Sequence, residues 1–409
     1  MFNLNKMING FVKTALEFCY QLGMVSALLG ASLLTSGCAL DLNSSGGNTA
    51  SGLYFYVAAS NSVDHVQIDA TTGVPSLQNS YSLTSTSGTS VAVSHNESFL
   101  YVGTSGGHIE AYFISPIDGS LTSVGTTNYG SAIADMLMHP SKNYLYILDS
   151  GATEGVTVYD VNTVTGALSE RFSKVATGQS DTYEFIFSKE SSTDPKFLFA
   201  SNTSSNNTSV FQIDQSGGAS DGAVTLRENE TSSLHPAGLV TFIDDSSGVH
   251  IYQAGRDSSD VLGASTDLVS RLTFTDDGVN YINTWDPFNV NHYSVVENES
   301  VNVHLDEVND RLLVANILSD NINIFNITTA DGTLTEDSSS PVLLPDGNAS
   351  SGVVGPGDMF IYDSKLYVLE YTANGMTVLN LSSLSAYNGG TRISVSTDPY
   401  RFVFLNHND

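Results

Sequence analysis

The feature that most constrains the fold is a phrase that recurs seven times: a short apolar strand, a polar turn and a second alternating strand. Neighbouring copies lie about 45 to 62 residues apart, close to the length of a four-stranded propeller blade. One such unit cannot bury its apolar face alone, so the copies must stack, and radial stacking gives a propeller. The copies are Phe55-Tyr56-Val57, Leu100-Tyr101-Val102, Leu145-Tyr146-Ile147, Phe197-Leu198-Phe199, His250-Ile251-Tyr252, Leu312-Leu313-Val314 and Leu366-Tyr367-Val368.

Period-two alternation between Gly, Asp and Asn turns indicates strands, and helical periodicity is nearly absent after residue 38. We therefore predict an all-β, seven-bladed β-propeller with four-stranded blades. The first copy begins directly at its second strand, Leu53 to Ala58, and the last copy is followed by an orphan strand, Tyr400 to Phe404. We expect this C-terminal strand to complete blade one, which closes the ring and removes two open sheet edges.

Three polar insertions interrupt the regular spacing. Two of them, Ala254–Leu268 and Asn280–Ser300, enlarge blade five, and Ser338–Gly357 precedes the last blade. All three fall in loop classes that share one face of a propeller. Because long loops on a rigid scaffold commonly carry binding sites, we expect a recognition surface there.

The formal net charge of -29 excludes nucleic-acid binding, because a phosphate backbone needs a basic face. It also argues against adsorption to anionic lipid. Two interpretations of the charge stay open, a solubilising surface and an acidic pocket for cationic ligands. Both cysteines precede residue 39, so we expect neither disulfides nor thiol chemistry in the folded region.

The N-terminal segment has the pattern of an export signal. Lys6 and Lys13 precede an apolar run from residue 19 to residue 34, which ends in Leu34-Thr35-Ser36-Gly37-Cys38. This ending resembles a bacterial lipobox, and the resemblance implies that residues 1–37 are a lipoprotein signal peptide and that Cys38 is lipidated. The resemblance, with Ala39 after the cysteine, implies an outer-membrane lipoprotein. An uncleaved membrane anchor is the alternative.

Residues 38–51 are rich in Ser, Gly and Asn and predict a flexible tether, which leaves residues 52–409 for the propeller.

Within the propeller, Leu312 to Phe325 resembles the YVTN-type repeat. Phe99 to Leu121 and His139 to Ile147 resemble the seven-bladed lactonase family of 6-phosphogluconolactonase-like propellers. The resemblance spans essentially residues 51–409 and implies the fold.

Active members of that family carry His, Arg and Glu near the channel, with a Gly-Pro-Arg-His-like stretch opening an inner strand. The nearest segments here are Leu234 to Gly238, which lacks the Arg, and Pro399-Tyr400-Arg401, which lacks the His. Gly103 to Gly107 has Gly-x-Ser-x-Gly spacing, but it joins two strands and predicts a plain turn. Asp118-Gly119, Asp276-Asp277-Gly278 and Asp331-Gly332 lack the spacing of a calcium loop and predict hairpin turns.

Asp135, Glu184, Asp358 and Arg401 occupy similar offsets at the starts of four inner strands. Propeller geometry brings such positions together around the channel mouth, where they would hold a polar ligand or a cation. A hydrated channel lining is the alternative. His95 and His139 are predicted to be turn residues on the opposite face. We expect no metal site and no cofactor.

The blade-five insertions contribute a second candidate set that mixes charge with aromatic faces: Arg256, Asp257, Trp285, His292 and Tyr293. Such residues suit stacking against a sugar ring or a peptide, and the alternative is that Trp285 packs beneath its own loop. Together with the channel residues, Arg256 and Trp285 are expected on one face.

Three functions remain open. The first is a lipid-anchored cell-envelope propeller that binds a small molecule, a glycan or an envelope protein without catalysis. The second is a divergent lactonase-like hydrolase that uses channel-mouth residues, and the third is a structural module of an envelope assembly. A buried His or Arg beside Glu184 would favour the enzyme.

Overall fold

The computed structural model describes residues 52–188, 195–231, 234–243, 248–257, 267–274, 284–289, 300–317, 319–345, 355–383, 385 and 392–406. They belong to one compact unit, Ala50–Asp409. Every regular element among these residues is a β-strand, which confirms the all-β prediction. Within the same residues, no helix is long and apolar enough to span a bilayer.

The strands form seven antiparallel sheets, one for each repeat. Blade one contains β1 (Leu53–Ala58), β2 (Ser62–Ile68) and β3 (Pro75–Ser82), and blade two contains β4 (Gly88–Val93), β5 (Phe99–Thr104), β6 (His108–Ile114) and β7 (Leu121–Asn128). Blade three contains β8 (Ile133–Met138), β9 (Tyr144–Asp149), β10 (Gly155–Val161) and β11 (Leu168–Ala176). Blade four contains β12 (Thr182–Phe187), β13 (Phe197–Asn202), β14 (Asn207–Ile213) and β15 (Val224–Thr231).

Blade five contains β16 (Leu234–Ile243), β17 (Val249–Asp257), β18 (Asp267–Phe274) and β19 (Thr284–Asn289). Blade six contains β20 (Ser300–Asp306), β21 (Arg311–Asn316), β22 (Asn321–Thr328), β23 (Thr333–Glu336) and a short fifth strand, β24 (Val342–Leu343), which pairs with β22. Blade seven contains β25 (Pro356–Tyr362), β26 (Lys365–Glu370), β27 (Gly375–Asn380) and β28 (Arg392–Ser394), and the last strand is β29 (Arg401–Asn406).

The C-terminal strand closes the ring as predicted. β29 pairs antiparallel with β1, with Ala58 opposite Arg401 and Leu53 opposite Asn406, and so becomes the inner strand of blade one. The first strand of each blade contacts the first strands of both neighbouring blades, and β25 and β4 flank β29. These seven inner strands surround the central channel. Because each second strand is antiparallel to its inner strand, inner-strand starts share one face with the turns between second and third strands.

Among the described residues, the recurring tyrosine of the repeat bonds one blade to the next at five of the seven junctions. Its hydroxyl donates to the carbonyl of a glycine in the turn between the third and fourth strands of the following blade, at 2.7 to 3.0 Å. These glycines have φ between 69° and 84°, a conformation that other residues rarely adopt, which explains the recurrent turn glycine. The pairs are Tyr56 with Gly119, Tyr101 with Gly166, Tyr146 with Gly222, Tyr252 with Gly332 and Tyr367 with Gly73.

Two predictions about the insertions are wrong in part. Residues 284–289 of the segment Asn280–Ser300 form β19, the outermost strand of blade five, so Trp285 lies in a blade strand. Trp285 pairs with Leu272 near the end of β18, which places it towards the face opposite the inner-strand starts. The segment Ser338–Gly357 likewise contains β24. Pro287 in β19 weakens the periodic strand pattern, and its position suits an edge strand.

Candidate functional site

The inner strands carry a local irregularity at their starts. Six of the seven, β4, β8, β12, β16, β20 and β25, have a register shift against their second strand there. The bulge includes or adjoins Asp135 in β8, Glu184 in β12 and Asp358 in β25. β-Bulges redirect side chains and are common beside active sites. The sequence offset shared by these acids therefore corresponds to a shared backbone distortion.

Arg401, the first residue of β29, lies between two of these acids. Its Nη2 atom is 3.3 Å from Oε2 of Glu184, and its Nη1 atom is 4.0 Å from Oδ1 of Asp358. The guanidinium carbon lies 5.5 Å from the ring centroid of Tyr183. The three charged side chains are only 13 to 16% exposed. We call Asp135, Glu184, Asp358 and Arg401 the channel cluster.

Asp135 and Asp358 are held by hydrogen-bond donors. Oδ1 of Asp135 accepts bonds from the Ser90 hydroxyl and the Met136 amide, both at 2.8 Å, and Oδ2 accepts a longer bond of 3.4 Å from the Phe185 amide. The oxygens of Asp358 accept bonds from the amides of Met359, at 3.0 Å, and Phe402, at 3.1 Å. Amides can only donate, so these bonds favour the ionised carboxylates.

Glu184 is held differently. Its Oε2 atom is buried and accepts no well-aligned hydrogen bond from the described residues, although Arg401 is close. Burial raises the pKa of Glu184 to about 8, Arg401 opposes the rise, and the charges of Asp135 and Asp358 add to it. Glu184 is therefore mostly protonated at pH 7 but can ionise near physiological pH, which suits general acid–base chemistry.

Burial and neighbouring charges also shift the pKa values of the other three members of the channel cluster. Burial raises the pKa of Asp135 and of Asp358, and the Arg401 guanidinium opposes both shifts. Burial lowers the pKa of Arg401, but the facing acids Glu184, Asp358 and Asp135 outweigh it and hold that pKa well above its ordinary value. Arg401 thus stays charged at neutral pH.

Tyrosine side chains lie beside the channel cluster, and these tyrosines were not predicted from the sequence. Tyr183 is 43% exposed and precedes Glu184, and Tyr400 is 40% exposed and precedes Arg401. Tyr371, in the turn after β26, lies with its ring 5.2 Å from that of Tyr400. The available signal was the tyrosine directly before two of the four predicted channel residues, Glu184 and Arg401. The site therefore combines buried charge with exposed aromatic rings.

The other predicted site residues are not members of the channel cluster. Arg256 and Asp257 end β17 opposite His235 and Leu234, on the channel-mouth side of blade five. Trp285 lies in the outermost strand near the other face, so the prediction that it shares a face with Asp135 is wrong. His292, Tyr293 and Cys38 lie outside the described residues, as does Asp276-Asp277-Gly278.

The remaining motifs form turns. Gly103 to Gly107 joins β5 to β6, so it lacks the helix of a nucleophile elbow. Asp118 and Asp331 each accept the amide hydrogen of the residue two positions on, at 3.1 and 3.0 Å, as hairpin-turn residues do. His139 follows β8 in a turn, with its ring buried against Tyr146 and Phe187. In the described part of the chain, no group of His, Cys, Asp or Glu could hold a metal ion.

Comparison with known proteins agrees with this architecture. Residues 49–185 match the family model of the lactonases with a seven-bladed beta-propeller. The chain is a seven-bladed propeller that resembles the lactonases over these residues. No curated protein sequence matches the chain significantly.

Solved structures share the fold of this lactonase-like propeller at low sequence identity. A putative 6-phosphogluconolactonase from Bacteroides fragilis is 15% identical, with a TM-score of 0.67, over 88% of this chain and 100% of that one. The periplasmic gluconolactonase PpgL of Pseudomonas aeruginosa is 13% identical, with a TM-score of 0.64, over 86% of this chain and 99% of that one. At such identities the likeness concerns the fold alone.

Proposed function

We propose that this protein hydrolyses a lactone at the channel cluster. The observation that carries the proposal is Glu184, a buried carboxyl with a pKa of about 8, lying 3.3 Å from the Arg401 guanidinium. The sequence alone left enzyme and binding protein open, and an arginine beside Glu184 was the feature that would favour the enzyme. The match of residues 49–185 to the lactonase model supports the same choice.

In the proposed reaction, Arg401 polarises the lactone carbonyl and stabilises the oxyanion that forms there. Ionised Glu184 takes a proton from water while the water oxygen bonds to the carbonyl carbon. The tetrahedral intermediate then breaks its bond to the ring oxygen, and Glu184 returns the proton to that oxygen. The product is the open hydroxy acid. Asp135 and Asp358 act as positioning residues, because their negative charges hold the Arg401 guanidinium in the channel.

The test is lactone hydrolysis by wild type, Glu184→Gln and Arg401→Ala. Loss of a general base or of an oxyanion donor typically costs about 100-fold or more in rate, so both variants should fall by at least that factor. Asp69→Asn, in an exposed turn of blade one, is the matched control and should keep wild-type activity. Activity of wild type should rise with pH towards a plateau above about 8, as Glu184 ionises. Undiminished hydrolysis by Glu184→Gln would refute its role.

A non-catalytic binding function is the second candidate, favoured by Tyr183 and Tyr400, whose exposed rings offer stacking surfaces at the channel. In this case wild type would bind ring compounds, seen as a thermal shift, without turning over lactones. For either function we propose that the protein is tethered to the outer membrane through a lipid on Cys38, on the evidence of the sequence pattern.

A further inference from the structure

The described ion pairs of the channel cluster all involve one basic side chain. Within the described residues, Arg401 is the one basic side chain that forms an ion pair with an acid of the channel cluster. Six other bases of this part of the chain form ion pairs with acids elsewhere in the blades: Lys142, Arg171, Lys174, Arg311, Lys365 and Arg392. One guanidinium therefore faces three carboxyl groups.

The charge of the channel cluster follows from its hydrogen bonds. Asp135 and Asp358 each accept bonds on both oxygens, which favours their carboxylates and opposes the rise in pKa that burial causes. The charge of the cluster is counted here with both groups ionised. With Glu184 protonated, the net charge is one negative, and with Glu184 ionised it is two negative. With Asp135 and Asp358 ionised, the cluster is negative in either state of Glu184.

Four backbone amides beside the channel cluster are already engaged by its acids. Amides at the starts of inner strands can form anion-binding sites, because several N–H groups converge there. Here the amides of Met136 and Phe185 already donate to Asp135, and those of Met359 and Phe402 donate to Asp358. These four amides are thus already bonded to the protein's own carboxylates.

We infer that the substrate of this site is an uncharged lactone, and that the site discriminates against lactones carrying a phosphate or carboxylate. The inference rests on the proposed function and adds to it the charge of the substrate. The exposed rings of Tyr183 and Tyr400 supply apolar faces on which an uncharged ring can stack. A buried negative site repels an added anion by enough to cost about tenfold or more in kcat/KM.

The test compares glucono-1,5-lactone with its 6-phosphate, which share the ring and differ in charge. Wild type should favour the uncharged lactone by about tenfold or more in kcat/KM. Asp358→Asn and Asp135→Asn each remove one negative charge and should reduce that preference by about tenfold. Asp69→Asn removes the same charge from an exposed turn of blade one and should leave the preference unchanged. The ratio of two substrates is insensitive to partial unfolding of a variant.

The outcomes separate the inference from the proposed function. Equal or faster turnover of the phosphorylated lactone would overturn the charge inference and leave the hydrolase intact. No turnover of either lactone would overturn the hydrolase and, with it, the lactone as substrate. The thermal shift given by glucose and by glucose 6-phosphate then tests the charge discrimination of the site alone. A larger shift with glucose supports that discrimination, and a larger shift with glucose 6-phosphate, or no shift with either sugar, overturns it.

Discussion

Replacing Arg401 with alanine leaves Asp135, Glu184 and Asp358 facing one another without a counter-charge. Removing one partner of a buried ion pair typically costs about 3 to 5 kcal/mol, because the remaining charges stay desolvated. In the variant these carboxyl groups escape the cost by binding protons. The free energy of unfolding should therefore fall by an amount that depends on pH, and the sign can be worked out.

Between pH 5 and 8 the folded variant holds more protons than folded wild type, whereas the two unfolded chains are alike. Relative to wild type, the variant therefore loses stability as pH rises, by about 1.4 kcal/mol per pH unit for each extra proton. One extra proton across this range makes the loss about 4 kcal/mol larger at pH 8 than at pH 5. The loss that remains at pH 5 reflects the contact of Arg401 with Tyr183, about 0.5 to 2 kcal/mol.

Urea unfolding at pH 5, 6, 7 and 8 measures this difference. Arg171→Ala is the matched control, because Arg171 pairs with Asp160, a 43% exposed acid on a blade surface, and lies over the ring of Tyr144. Its loss should be about the same at all four pH values. If the loss for Arg401→Ala is equally flat, the acids do not depend on Arg401, and the electrostatic account of the channel cluster is wrong.

Three further predictions concern assembly and location. Deleting residues 399–409 removes the inner strand of blade one, including the buried Leu405, and should cost several kcal/mol; an unchanged melting temperature would contradict this. Tyr252→Phe removes one bond between blades and should lower the free energy of unfolding by about 1 kcal/mol, measured by urea unfolding, whereas Tyr159→Phe should have little effect. Cys38→Ser should move the protein from the detergent phase to the aqueous phase on extraction, and retention in the detergent phase would exclude the lipid tether.

The fold was largely predictable because each blade must repeat the same chemistry. The apolar second strands, the turn glycines and the unpaired segment at the C-terminus together determine seven sheets and their closure. β1 begins and ends at the residues expected, Leu53 and Ala58. β29 differs from the predicted strand by one residue at its start and two at its end.

The site was predictable only where it follows from the repeat. Equal offsets brought Asp135, Glu184, Asp358 and Arg401 together, because equivalent positions in different blades converge on the channel. The pKa of Glu184 was not predictable, since it depends on burial and on three neighbours from other blades. Trp285 was misplaced because β19, with an Asp and a Pro beside the aromatic residues, does not alternate like the other strands.

The two ends of the propeller lie side by side, since Leu53 and Asn406 are opposite one another on adjacent strands. The bond from Tyr367 to Gly73 also ties blade seven to the part of blade one that precedes β29 in the chain. Blade one is therefore held together by strand pairing between β1 and β29 and not by unbroken backbone. A circular permutant, with the old termini joined by a short linker and new ones opened in the turn between β7 and β8, should rebuild the same ring.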